Sequence, residues 1–168
     1  MKIGTHAGET LPNILARKAR EGRQAGFCLW GYGGSSCHPI RQVQALAELG
    51  PVSAMFLPTT SDPGVPSVPA AEWSADGLTW QALHPSHKVT GSRWALAIAE
   101  LQPAEATIDL AAYSVAVGPS RGRALTDYLR GRTDKACAEL SEDGALSPSP
   151  SRIVALGVLV APYAVILR

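Results

Sequence analysis

The chain has 168 residues, 46% of them hydrophobic and 17% charged, which is enough apolar material for one compact core and too little length for two ordinary domains. Fifteen Lys and Arg against fourteen Asp and Glu leave a formal charge of +1, so bulk charge gives no argument for nucleic acid or an anionic membrane. Three cysteines cannot all pair in disulfides, and the opening MKIGTHAGETLPN lacks the apolar stretch of a signal peptide; the expected compartment is a reducing cytoplasm.

Taken in chain order, residues 10–22 have a helical pattern. Thr10 can cap, Pro12 falls in the first turn, and Leu11, Ile14, Leu15 and Ala19 share one face, opposite Arg17, Lys18, Arg20 and Glu21. Residues 26–32 form a strand that runs into a glycine-rich loop. A second helix is expected from Pro39 to about Leu49 with Gly50 as its stop, then a buried strand over 52–57. Four prolines make 58–70 a loop. The period then changes to two: a hairpin over 71–82 turns at Asp76-Gly77, and Trp94, Leu96 and Ile98 alternate with alanines. A further strand is expected over 107–117, and a third helix from Ser120 to about Arg130.

Residues 153–167, IVALGVLVAPYAVIL, carry no charge. As a helix they would rise about 22 Å against a hydrocarbon core of about 30 Å, and Gly157 and Pro162 interrupt the run. Their β-branched content predicts buried strand and no membrane span. The whole reads as an α+β fold: a single domain over 1–146 with a mixed β-sheet and about three helices, a Ser/Pro connector at 147–151, and an apolar segment at 152–168 packed on the domain or at a homo-oligomer interface.

Charge is placed unevenly. Residues 1–24 and 118–136 each hold five basic and two acidic groups, whereas 42–117 hold two basic and seven acidic. If the two basic segments meet, they form a local anion-attracting face. Val117-Gly118-Pro119-Ser120-Arg121-Gly122-Arg123 reads as strand, glycine turn and helix start, an arrangement that offers backbone N–H groups and arginines to a phosphate. It matches neither the Walker pattern nor GxGxxG. Trp30-Gly31-Tyr32-Gly33-Gly34-Ser35-Ser36-Cys37-His38 also precedes a helix and pairs close backbone approach with two aromatic rings.

The expected ligand-binding set is therefore Trp30, Tyr32, Gly33, Gly34, Ser35, Ser36, His38, Gly118, Ser120, Arg121, Gly122 and Arg123, with Arg132 and Lys135 adding charge. The expected partner is a phosphate-bearing small molecule or a nucleic-acid backbone; no cofactor is specified. Cys28, Cys37, His38 and Cys137 are too scattered for a metal knuckle. The segment THAGETLPNILARKAREG, residues 5–22, resembles the opening of ADP-ribosyl-transferring folds, in which a strand His binds the nicotinamide ribose. That resemblance implies a nucleotide-consuming transferase using His6, with Glu139 as its acid. A third reading is a protein-interaction module or inhibitor using the apolar tail and the acidic middle.

Overall fold

The computed structural model describes residues 1–6, 8–32, 40–60, 68–130, 135–141 and 150–168. It is an α+β fold with a mixed seven-stranded sheet, a separate two-stranded sheet and three α-helices among the described residues. The C-terminal run is β9, Ser151–Leu167. It pairs along one edge with β6 (Trp94–Ile108) and along the other with β3 (Ser53–Pro58) and β4 (Glu72–Ser74), all antiparallel. β6 continues to β2 (Cys28–Tyr32), and β3 to the parallel edge strand β1 (Lys2–Ile3). The apolar run, expected as buried strand packed on the domain or at an oligomer interface, is the strand to which β3, β4 and β6 all bond. Among the described residues, no helix is long and apolar enough to cross a membrane.

Both faces of the sheet are covered. Trp94, Leu96 and Ile98 turn their bulky side chains to the face under α1 (Leu11–Ala25) and α2 (Ile40–Glu48), where Ile14, Ile40, Val43 and Phe56 complete the core. The alternating Ala95 and Ala97 are wholly buried on the other face, with Leu29, Val89 and Val165. The hairpin is present as β4 and β5 (Gln81–Ala82). Asp76 organises its turn by accepting bonds from Ser74 Oγ, Leu78 N and Thr79 N at 2.8–2.9 Å, while Gly77 takes φ +80.

Three expectations are corrected. The strand expected over 107–117 is divided. β6 ends at Ile108, Asp109 caps a short 3₁₀ turn over Leu110–Ala112 by accepting from Ala111 N at 3.0 Å, and β7 (Tyr113–Val115) then pairs with β8 (Ala138–Leu140). The helix expected over 120–130 shrinks to α3, Leu125–Tyr128, because residues 118–123 are spent on turns. In α1 the buried face is Ile14, Leu15, Lys18 and Glu21; two residues assigned to solvent lie inside.

Where β6 meets β9 the register slips between Ala99 and Gln102, with Glu100 at φ +53. This bulge brings the β6 backbone toward Gly157. A Cβ there would lie 2.5 Å from Ile98 Cγ2 and 3.1 Å from the Ala99 carbonyl. Gly157→Ala is expected to cost about 1–3 kcal/mol through overpacking. Gly22→Ala on α1, where the added Cβ meets nothing closer than Cys28 N at 3.9 Å, should instead stabilise by about 0.5–1 kcal/mol. Urea unfolding of the two variants checks the opposite signs.

Candidate functional site

The end of β2 lies beside the start of β6, because Tyr32 pairs with Trp94. The chain entering β6, residues 88–92, therefore crosses next to Gly31. Any Cβ at Gly31 would collide with Ser92 Oγ and, at 2.7 Å, Val89 Cγ1, so the glycine is what allows the crossing. β1 runs parallel to β3, fixed by Thr59 N donating to the Ile3 carbonyl at 2.8 Å. Its continuation carries Thr5 and His6, and a tight turn with Gly8 at φ +78 closes by reciprocal backbone bonds between His6 and Glu9. These pieces enclose a cleft of about 450 Å³.

The cleft wall includes Lys2, His6, Arg17, Lys18, Lys88 and Lys135, with Trp30, Tyr32 and the hydroxyls of Thr5, Thr59, Thr90 and Ser92. Among the described residues, no carboxylate lines it. Two of its cations are already neutralised from behind. Lys18 Nζ donates to Glu21 at 2.9 Å, to the Leu29 carbonyl at 2.6 Å and to the Lys88 carbonyl at 3.0 Å. Glu21 in turn accepts from Arg17 Nη1 and from Lys88 N, both at 3.1 Å. Arg17 also reaches Glu9 at 2.6 Å. Burial pushes the Lys18 ammonium below the usual lysine value, against the pull of Glu21. Lys2 Nζ is engaged as well, donating to the Leu129 carbonyl; Lys88, Lys135 and His6 complete the described lining.

A second cavity of about 160 Å³ lies between the sheet, α2 and the β7–α3–β8 unit, walled by Leu46, Val52, Leu96, Leu125 and Leu129 among others. Cys137 is part of its wall, and burial pushes the thiol up to about 11, which keeps it protonated and unreactive at neutral pH. Cys28, also buried, is pushed up to about 11 in the same way. No group of three His, Cys, Asp or Glu suited to a metal ion occurs among the described residues.

The structure brings His6, Trp30, Tyr32 and Lys135 into one cleft. The two rings are held by packing: Trp30 lies on Phe56 at 4.4 Å and Tyr32 on Trp94 at 6.2 Å. Gly118, Ser120, Arg121, Gly122 and Arg123 are placed elsewhere, and line neither the cleft nor the apolar cavity. Their N–H groups are largely committed: Arg121 N to the Gly118 carbonyl, Gly122 N to Val115, and Arg123 N to Ser120, at 2.8–3.1 Å. Gly118 and Gly122 take φ +82 and +81, as turn residues, and the following helix has four residues, too short for an appreciable dipole. Glu139 is exposed on β8, 3.9 Å from Arg121, and does not line the cleft that holds His6. Gly33, Gly34, Ser35, Ser36, His38 and Arg132, like Cys37, lie outside the described residues.

Lys2, Arg17, Lys18 and Lys88, with the hydroxyls of Thr5, Thr59, Thr90 and Ser92, line the cleft without belonging to the expected binding set. For Lys18 a signal exists: positions 14, 18 and 21 continue one helical stripe, so a lysine and a glutamate there point to a buried pair.

Two outcomes test the network. Glu21→Gln should cost about 3–5 kcal/mol because it strands a buried ammonium, whereas Lys18→Met combined with Glu21→Leu should recover most of the loss; denaturant unfolding measures both. Arg17 holds the Glu9 carboxyl below its ordinary 4.5. The unfolded chain therefore takes up the proton first as pH falls, and the stability that Glu9 contributes at neutral pH is lost in acid below that value. Glu9→Gln should flatten this acid limb of stability against pH.

The chain matches no protein-family model, no curated protein and no solved structure.

Proposed function

We propose that the protein binds a phosphate-bearing small molecule in the cleft formed by β1, β2 and residues 88–92. The observation that carries this reading is a cleft of about 450 Å³ with Lys2, Lys88, Lys135 and His6 among its lining residues and no carboxylate in its described wall. That volume lies within the roughly 300–1,000 Å³ usual for small-molecule sites. A concave site on a chain of net charge +1 suits a nucleotide-sized anion better than an extended nucleic-acid backbone, which is met by a broad basic face. Free thiols at Cys28 and Cys137 fit a reducing cytoplasm.

The test separates the cleft from the exposed arginine loop. ADP and inorganic phosphate are titrated into the protein, Lys135→Ala, Lys88→Ala, and Arg121→Ala combined with Arg123→Ala. A charge-assisted hydrogen bond is worth about 1.5–3 kcal/mol, so each lysine variant should bind about ten- to a hundredfold more weakly. The double arginine variant should bind as the parent does. Loss of binding in the arginine variant alone would move the anion site to residues 118–123.

A further inference from the structure

We infer that the apolar cavity beneath the β7–α3–β8 unit is a ligand site in its own right, and that it takes a compact, neutral, apolar molecule about the size of a benzene ring. The assignment does not rest on the anion reading of the cleft. It rests on where the cavity lies, which is the seam between two hydrophobic cores. On one side the sheet and α2 share the cluster that includes Ile40, Val43, Phe56 and Leu159. On the other, the unit has a small core of its own, Val115, Leu125 and Leu129. The chain enters that unit through the 3₁₀ turn capped by Asp109. Both cores give side chains to the cavity wall: Val43 and Leu159 from the first, Leu125 and Leu129 from the second. A seam between two packed units is a common place for a small-molecule site, and here Lys2 Nζ ties its two sides by donating to the Leu129 carbonyl.

Size and wall chemistry select the occupant. At about 160 Å³ the space is close to the roughly 150 Å³ cavity, lined by aliphatic and aromatic side chains, that stays dry and accepts benzene. It has room for roughly a dozen waters, but each would need two to four polar partners. Tyr32, Ser53 and Lys135, with the Cys137 thiol, are the polar side chains of the described wall, and burial keeps that thiol protonated at neutral pH. An anion would lose its hydration among the leucines, and a second cation would meet no carboxylate in the described wall. A hydrocarbon ring or compact branched alkyl group gives up nothing polar on entry and gains the contact of both cores.

The experiment is an NMR titration of the full chain, isotope-labelled at its Leu and Val methyl groups, with toluene and with catechol, a ring of nearly the same size that carries two hydroxyls. Toluene should give saturable shifts at Val43, Leu46, Leu125 and Leu129, on both sides of the seam. Catechol should bind at least about tenfold more weakly, because its hydroxyls lose water on entry. Ala138→Leu, which adds volume to the wall, should weaken toluene at least about tenfold. The contrast between the two probes in the unmodified protein decides the question even if the variant folds poorly. Equal affinity for toluene and catechol would overturn the apolar assignment. Toluene shifts confined to the exposed Leu49, Val68 and Leu78, or no saturable shift, would overturn the site.

Discussion

The buried pair of Lys18 and Glu21 is the contact on which the arrangement of the site depends. Both charges are taken from water, a step that ordinarily costs several kcal/mol per ion. The structure offsets it by saturation: the ammonium is met by a carboxylate and two carbonyls, and the carboxylate by a guanidinium and a backbone N–H. Those partners come from three places in the chain, namely α1, β2 at Leu29 and the segment at Lys88. A leucine pair of similar volume would fill the same space without specifying which carbonyl lies where. The network therefore fixes position more than it adds stability, and the positions it fixes are the floor and one wall of the cleft.

The sheet supplies the other constraint. β9 is the last strand in sequence and the one to which β3, β4 and β6 all bond. The pairing of β2 with β6 brings the end of β2 and the entry to β6 to one edge of the cleft. The parallel pairing of β1 with β3 brings the N-terminal residues to the other side. The cleft thus unites residues 2–6, 30–32, 88–92 and Lys135, which are far apart in the chain.

This explains what could be read in the sequence and what could not. Period and composition were sufficient for α1, α2, β2, β3, the bulky face of Trp94, Leu96 and Ile98, and the buried character of 153–167, because each depends on local spacing. The third helix was misread because Ala124, Leu125, Tyr128 and Leu129 do form a stripe, while the turns at Gly118 and Gly122 consume the residues before it. The break at Asp109 was hidden because its cause is a side chain bonding its own backbone two residues on, which apolar alternation does not reveal. At the site, His6, Trp30, Tyr32 and Lys135 were named for their chemistry, but the grouping of Lys135 with Lys2 and Lys88 is tertiary. The two basic segments contribute to the cleft through Lys2, Arg17, Lys18 and Lys135, not through Arg121 and Arg123, which looked most like a phosphate loop.

The proposed anion site is the cleft organised by the buried ion pair. Backbone amide shifts of the isotope-labelled protein, followed by NMR during titration with inorganic phosphate, test it most directly. Binding in the cleft should give saturable shifts at Lys2 to His6, Trp30 to Tyr32, Lys88 to Ser92 and Lys135, with residues 118–123 unmoved. Shifts confined to Gly118 to Arg123, or none at saturating phosphate, would contradict it.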